Sequence, residues 1–128
     1  MSHVFDVEVY YEDTDMAGMV YYANYLKFIE RARSSWVAQM GVDQLAMKEA
    51  GTVFVVRRVE ADYLGSARFG DQLQVRTEVE ATTPARWIVR QDVWRARSHL
   101  FSALVTIVAV GEGGVPVRLP AELRRKVN

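Results

Sequence analysis

Residues 10–25 read YYEDTDMAGMVYYANY, and this stretch decides the fold because it joins a strand-like run to a long amphipathic helix. Residues 4–11 form the first predicted strand, and residues 12–18 form the turn that follows it. Asp15 lies in that turn, where the positive end of the helix dipole favours a negative charge. A carboxylate held beside backbone N–H groups that can bind a carbonyl oxygen predicts a hydrolytic site.

The long helix is predicted over residues 22–40, and Gly41 stands in the favoured position just after its end. Such a helix has about five turns and spans roughly 27 Å, which is enough to cross a sheet. Arg33 falls in the middle of the apolar face. Either its stem packs on the sheet while its charged head reaches solvent or a partner, or it acts directly at the site. The predicted apolar face carries Tyr22, Tyr25, Leu26, Ile29, Trp36, Val37 and Met40.

The second half of the chain has the pattern of consecutive strands. These strands are predicted over residues 53–64, 72–81, 87–93 and 99–110. One strand, one long helix and four further strands predict an α+β architecture in which an antiparallel sheet of about five strands wraps the helix. Phe28, Ile88 and Trp94 are predicted to face outward, and self-association would cover them.

Local signals predict the shorter elements. Asp43 is a favoured N-cap for a short helix over residues 44–50, which Gly51 ends. The glycines of residues 111–114 do not follow a nucleotide-binding pattern and predict a plain turn. Residues 120–126 are predicted to form a terminal helical turn.

Composition restricts the possible functions. The length of 128 residues predicts one domain, residues 1–128, and 50% hydrophobic residues predict a compact core. The 16 basic and 16 acidic residues cancel, which argues against a dedicated nucleic-acid binder. The chain has no cysteine and two histidines, so thiolate chemistry is excluded and no metal site is expected. The first residues lack a basic segment and a long apolar run, so neither a leader nor a membrane span is expected, and the predicted location is the cytoplasm.

Several motifs together resemble one family, the Tol-Pal-associated acyl-CoA thioesterases and their 4-hydroxybenzoyl-CoA thioesterase-like relatives of the hotdog fold. The motifs cover most of the chain and comprise YEDTD at residues 11–15 with Gly18, VY at 20–21, NYL at 24–26 with Phe28, ERAR at 30–33, FVVR at 54–57, AR at 67–68 with Asp71, and VRLP at 117–120. The resemblance implies a five-stranded antiparallel sheet wrapped around one long helix. It also implies homodimers or homotetramers, active sites at the dimer interface, and hydrolysis of a coenzyme A thioester.

The resemblance assigns catalytic roles to two residues. Asp15 matches the family's catalytic carboxylate, acting as nucleophile or general base. Tyr22 matches the residue whose backbone N–H binds the thioester carbonyl. Many close relatives have His where this chain has Tyr22, whereas hydroxybenzoyl-type relatives have Tyr. Any acid or base role of that His is therefore absent, and the substrate preference stays open.

Further residues are candidates for binding the substrate, and coenzyme A is part of that substrate, so no separate cofactor is expected. Next to the acid these are Met16, Gly18, Met19 and Val20, and the candidates for the coenzyme A phosphates are Arg57, Arg58, Arg68, Arg86 and Arg118. Each has a structural alternative. Surface solvation is the default for any one arginine, and Asp13 and Asp15 could be simple turn formers. Asn24 is interpreted as an N-cap, and Glu30 as the intrahelical partner of Arg33.

Three functions remain open at this point. The leading prediction is thioester hydrolysis. A hotdog hydratase or dehydratase would need a further acid or base, and neither His3 nor His99 lies near Asp15 in sequence. A protein that binds acyl thioesters without hydrolysing them would have no use for Asp15, whose burial would be costly. A serine nucleophile elbow, Gly-x-Ser-x-Gly, does not occur in the sequence.

Overall fold

The computed structural model describes residues 2–125. The strands in this range are β1 (Ser2–Glu8), β2 (Val53–Tyr63), β3 (Gln72–Thr82), β4 (Arg86–Arg95), β5 (Ser98–Val110) and β6 (Pro116–Val117). The helices are α1 (Asn24–Gln39), α2 (Gln44–Glu49) and α3 (Ala121–Arg125), and short 3₁₀ turns occupy Tyr11–Asp13 and Glu112–Gly114. The prediction that residues 1–128 form one domain extends beyond the described residues and stays a prediction.

All strand pairs of the sheet are antiparallel, in the order β1-β3-β4-β5-β2. The predicted α+β architecture, with a sheet wrapped around one long helix, is therefore confirmed. A sixth strand, the two-residue β6, pairs with the end of β5 and was not predicted, because two residues are too few to show a period. Part of the predicted turn at residues 120–126 is helix α3, and residue 126 lies outside the described range.

Helix α1 packs on one face of the sheet with a buried stripe that differs from the predicted one. Phe28 is 0% exposed, so the prediction that it faces outward is wrong. Leu26 and Tyr22, predicted to be buried, are exposed. The stripe follows the three- and four-residue spacing of a helix rotated towards Phe28, so that Arg33 lies at its side and not at its centre. Its buried members are Tyr25, Phe28, Ile29, Ala32, Trp36 and Val37.

Four predicted boundaries were wrong by two or three residues: both ends of β1, the start of α1 and the end of β4. β1 ends at Glu8, since a tight 3₁₀ turn at Tyr11–Asp13 takes the chain out of the sheet. Helix α1 begins at Asn24, because Tyr22 and Ala23 form a turn before it. By contrast, Asp43 caps α2 as predicted, since its carboxylate accepts bonds from the N–H groups of Leu45 and Ala46.

The inner face of the sheet is covered by α1, whereas the outer face is only partly covered. Aromatic contacts dominate the inner face, where Trp36 meets Trp87 and the ring of Tyr25 stacks on Phe101 with centroids 5.2 Å apart. On the outer face Ile88 and Trp94 are only partly covered. The prediction that Ile88 and Trp94 face outward is therefore confirmed.

Strand β2 forms one edge of the sheet. Among residues 2–125 its outer side pairs with no other strand. Val55, Val56, Val59 and Tyr63 on this strand are each between 40% and 46% exposed. A long edge strand with so much apolar surface is unusual in an isolated chain. No helix of the described residues has the length and hydropathy needed to cross a membrane.

Candidate active site

The acid of the candidate site lies in a tight loop that two backbone bonds close. Thr14 pairs with Val20, the N–H of Asp15 donates to the carbonyl of Met19 at 2.8 Å, and the N–H of Gly18 donates to the carbonyl of Asp15 at 3.0 Å. Gly18 has a φ of +80°, a conformation that favours glycine at this point of the loop. The chain therefore reverses direction at Asp15 and returns towards α1.

The carboxylate of Asp15 has one oxygen engaged and one available. Its Oδ1 accepts bonds from the N–H groups of Ala17 at 2.9 Å and Met19 at 3.3 Å. No residue of the described chain donates to Oδ2, and the side chain is exposed. The turn-forming role considered from the sequence therefore applies to one oxygen. The loop fixes the orientation of the group and leaves the second oxygen able to act as a base or nucleophile.

Asp13 and Asn24 connect this loop to α1. The carbonyl oxygen of Asp13 accepts bonds from the N–H of Tyr21 and from Nδ2 of Asn24, both at 2.9 Å. Asn24 is thus the first residue of the helix and not its N-cap, a position that Ala23 occupies without a side-chain bond. The carboxylate of Asp13 accepts from the N–H of Tyr10 at 2.8 Å, which agrees with its predicted structural role.

Tyr22 lies in the turn before α1 with its backbone N–H unused. No acceptor for that N–H occurs within residues 2–125, and the residue is 61% exposed. The N–H is thus available to bind a carbonyl oxygen, although it lies two residues before the helix and not at its first residue.

Tyr63 is a neighbour of Tyr22 that the sequence did not identify. Its hydroxyl donates to the carbonyl oxygen of Tyr22 at 3.1 Å, and the two ring centroids are 6.0 Å apart. Burial raises the pKa of the Tyr63 hydroxyl, so that it stays a hydrogen-bond donor at neutral pH. The partners are 41 positions apart in the sequence, so no local pattern predicted this contact.

A second loop, at residues 64–71, packs against the acidic loop. Val20 N–H donates to the carbonyl of Ala67, while Ala67 N–H donates to the hydroxyl of the buried Tyr25. Asp71 anchors this loop by accepting from the backbone N–H of Arg68 and from the Arg95 guanidinium. Burial alone would raise the pKa of Asp71, but these bonds hold it below its ordinary value.

The predicted substrate-binding residues fall into three groups. Met16, Gly18, Met19 and Val20 lie in the acidic loop, and Arg68 pairs with Met19 beside it. Met16 is fully exposed, whereas Val20 is buried in the core. This group is the only one that the described chain places next to Asp15.

The other arginines lie elsewhere. Arg57 and Arg58 are on the edge strand β2, where Arg58 pairs with Glu60 at 3.1 Å. Arg86 and Arg118 lie towards the end of the sheet that is far from Asp15. The strand β4 runs about 30 Å from Arg86 to Arg95, and Arg95 is at the end near the loop of Asp15. A single copy of the chain therefore does not gather the five arginines at one site.

Arg33 joins a buried polar network under α1. Its NH1 group donates to Oε1 of Gln91 at 2.8 Å, and Nε2 of Gln91 donates to the carbonyl of Ile29 and the hydroxyl of Thr77. Within residues 2–125 no carboxylate lies within salt-bridge distance of Arg33, so the predicted pair with Glu30 does not form. The sequence did indicate that Gln91 is buried, because it alternates with Trp87, Val89 and Val93 on the inward face of β4.

No group of three or more acidic or histidine side chains in the described part of the chain could hold a metal ion. His99, away from the loop of Asp15 in the sequence, bonds to Asp92 at 2.8 Å and stacks on Trp94. The chemistry available near Asp15 is therefore a carboxylate, backbone donors and tyrosine hydroxyls.

Comparison with known proteins defines the class. A family model described as the thioesterase superfamily matches residues 17–102. This match covers more than half of the chain, so the chain belongs to the thioesterase superfamily. The matched range begins two residues after Asp15, so the acid itself lies outside it.

Individual relatives are similar over most of their length. The chain is 38% identical over 122 residues to the acyl-CoA thioesterase YbgC of Haemophilus influenzae, covering 94% of this chain and 90% of that protein. It is 36% identical over 105 residues to the acyl-CoA thioester hydrolase YbgC of Escherichia coli O6:H1, covering 81% and 78%.

Solved structures confirm the hotdog fold. A probable thioesterase from Bartonella henselae superimposes with a TM-score of 0.89 at 34% identity and covers 94% of this chain and 100% of that one. A 1,4-dihydroxy-2-naphthoyl-CoA thioesterase from Synechocystis superimposes with a TM-score of 0.91, covering 99% and 96%. Its 21% identity supports the fold alone.

Proposed function

We propose that this chain is an acyl-CoA thioesterase that uses Asp15 as nucleophile or general base and the N–H of Tyr22 as carbonyl-binding donor. In the net reaction one water adds across the C–S bond, and the products are a free carboxylic acid and coenzyme A with its thiol. The observation that carries the proposal is the Asp15 carboxylate, with one oxygen fixed by the loop and the other unused. The names of the relatives in Haemophilus and Escherichia support the same activity.

The chemistry follows from these groups. The N–H of Tyr22 binds the thioester oxygen, which gains negative charge when the carbonyl carbon becomes tetrahedral. One such donor lowers a barrier by about 3–4 kcal/mol. Asp15 either attacks the carbonyl carbon, giving an anhydride that water then hydrolyses, or removes a proton from an attacking water. In both routes the C–S bond breaks, the thiolate leaves, and a proton completes the coenzyme A thiol.

A homodimer completes the site in this proposal. The free edge of β2 pairs antiparallel with β2 of a second copy, which covers its exposed valines. A two-fold axis near Arg58, the middle of β2, sets the start of one strand opposite the end of the other. Residues 53–56 of the second copy then lie beside Tyr63 and Tyr22 of the first. The same operation brings Arg57, Arg86 and Arg118 of the second copy towards the substrate.

Further assembly and location are also proposals. The outer face of the sheet carries an apolar stripe of Ile88, Leu104 and Val108, each only partly covered, and two dimers packed through this stripe form a homotetramer. We place the enzyme in the cytoplasm, where coenzyme A esters are formed, and cell fractionation tests this.

Thiol release from a panel of acyl-CoAs tests the proposed activity. Short aliphatic, long aliphatic and aromatic esters are each incubated with the purified protein, and the free thiol is followed with a chromogenic disulfide. Release above the uncatalysed rate for at least one ester is expected. A protein that binds the esters without releasing thiol would instead be an acyl-thioester-binding protein, and an enoyl-CoA converted to its hydrated form would indicate a hydratase.

A further inference from the structure

The chain has a small cavity that the proposed chemistry does not yet use. It lies between α1, the start of α2 and the first residues of β2, and its volume is about 100 Å³. Its wall is about equally polar and apolar, and the apolar side chains include Val37, Phe54, Val55 and Ile107. The polar side chains of the wall are Glu30, Arg33, Ser34 and Gln44. Whole small-molecule sites measure roughly 300–1,000 Å³, so this cavity has room for only the end of a ligand.

Arg33 is a partly buried cation without a paired anion. Its one hydrogen bond within residues 2–125 goes to the neutral amide of Gln91, whereas a guanidinium has five N–H donors. Burial lowers the pKa of Arg33, and the charge of the exposed Glu30 one turn away acts in the opposite direction. Taking a charge out of water is costly unless an anion compensates it, so an incoming anion gains from this position.

Gln91 holds the guanidinium in place. Its amide nitrogen donates to Ile29 and Thr77, at 2.9 Å and 3.0 Å, so its oxygen must face Arg33. Gln91 is 0% exposed, and its amide therefore cannot turn away without breaking three buried bonds. The remaining donors of Arg33 are preorganised for a ligand, which reduces the entropy lost on binding.

Ser34 and Gln44 add neutral hydrogen-bonding groups to the same wall, and Glu30 adds a negative charge. The indole Nε1–H of Trp87 is closed off from the cavity, because it is buried, and it finds no acceptor in the described part of the chain. Arg33 is the cation of this wall, and a cation there favours a carboxylate over a neutral hydroxyl.

The place of the cavity relative to Asp15 rests on the proposed function and its β2-paired dimer. Val55 and Val56, which line the cavity, belong to the segment that pairing brings beside Tyr22 of the other copy. An acyl chain bound at one copy's Asp15 thus extends towards the other copy's Arg33. We propose that this cavity receives the far end of a dicarboxylic acyl group, with its terminal carboxylate bound by Arg33.

Matched pairs of esters test the proposal. Glutaryl-, adipoyl- and suberoyl-CoA are compared with pentanoyl-, hexanoyl- and octanoyl-CoA, so that each pair differs only in the terminal carboxylate. The wild-type protein should favour the diacid in kcat/KM by about tenfold or more at one chain length or several, the scale of a hydrogen bond to a charged group. Arg33→Met should remove that preference, and Glu30→Gln should increase it, since the competing negative charge is gone.

Controls separate this inference from the proposed function. Arg31→Met removes an exposed arginine of the same helix and should keep the wild-type preference. Glu30→Gln changes an exposed side chain, so it gives a readout even if Arg33→Met fails to fold. Turnover of the monoacids without any diacid preference, or equal losses for both in Arg33→Met, would overturn the subsite and leave the thioesterase intact. Absence of turnover for every ester would overturn both.

Discussion

The hydroxyl of Tyr63 donates to the carbonyl oxygen of Tyr22 at 3.1 Å, so the last residue of β2 is tied to the turn that precedes α1. The edge strand and the turn that carries the Tyr22 N–H, the proposed carbonyl-binding donor, are thereby one structural unit. In a dimer paired through β2, anything that moves this edge also moves the turn that carries the Tyr22 N–H. This contact would couple assembly to catalysis in the proposed dimer.

Replacing Tyr63 with Phe should slow hydrolysis without unfolding the protein. The change removes one hydrogen bond and keeps the ring contacts, so kcat should fall about two- to tenfold, the range of about 0.5–1.5 kcal/mol for such a bond. Steady-state rates measure the effect, and thermal unfolding checks the fold. A kcat equal to that of the wild type would show that Tyr63 does not position the turn.

The Tyr22 ring and its backbone N–H can be separated by two substitutions. Tyr22→Phe keeps the N–H and should retain most activity, whereas Tyr22→Pro deletes the donor and should lower kcat severely. Both rates are measured on folded protein. If the Phe variant is as inactive as the Pro variant, the hydroxyl is the working group and the backbone assignment is wrong.

A charge on the free edge of β2 should abolish dimerisation and hydrolysis together. Val59 lies in the middle of this strand, and a lysine there would place an unpaired charge in the interface. Val4→Lys is the matched control. Val4 is exposed on β1, the opposite edge of the sheet, so this variant should still dimerise and hydrolyse the ester. Light scattering over a dilution series, run beside the rate assay, measures the outcome. A monomer with full activity would contradict the shared site.

Stability should decrease in mild acid because of His3. This side chain is buried against Trp36, its Nδ1 lacks a partner among the described residues, and burial lowers its pKa. The unfolded chain therefore takes up a proton near pH 6.5 that the folded state resists, and the free energy of unfolding falls as the pH drops below that value, by at most about 1.4 kcal/mol per pH unit. His3→Phe should show a smaller loss in urea denaturation at pH 5.5 relative to pH 7.5. Equal losses in the two proteins would exclude His3 as the source.

The sequence predicted those features that depend on neighbouring residues. Asp43 caps α2 because a cap needs only the next three residues, and the alternation in β3 and β4 set their faces correctly. The buried stripe of α1 was misjudged because Arg33, an ionic residue on the apolar side, concealed the rotation towards Phe28. The position of Arg33 at the side of the stripe became clear only from its hydrogen bond to Gln91, 58 residues away in the sequence.

The part of the candidate site that depends on neighbouring residues was also predictable from the sequence. Asp15 and its loop follow from one short stretch, whereas the contact of Tyr63 with Tyr22 requires the edge strand to return beside the helix. The distribution of arginines over both ends of the sheet could not be seen from the sequence, because strand register and chain pairing decide it.

Asp15→Asn removes the proposed base or nucleophile of the reaction and should abolish hydrolysis. The amide keeps the shape of the side chain and an oxygen that can accept from the loop N–H groups, so the thermal unfolding temperature should change little. Free-thiol release from the preferred acyl-CoA should fall by about 10²–10⁴-fold, the effect of losing one general base. Turnover above about a tenth of the wild-type value, on the same scale, would show that Asp15 is neither the base nor the nucleophile.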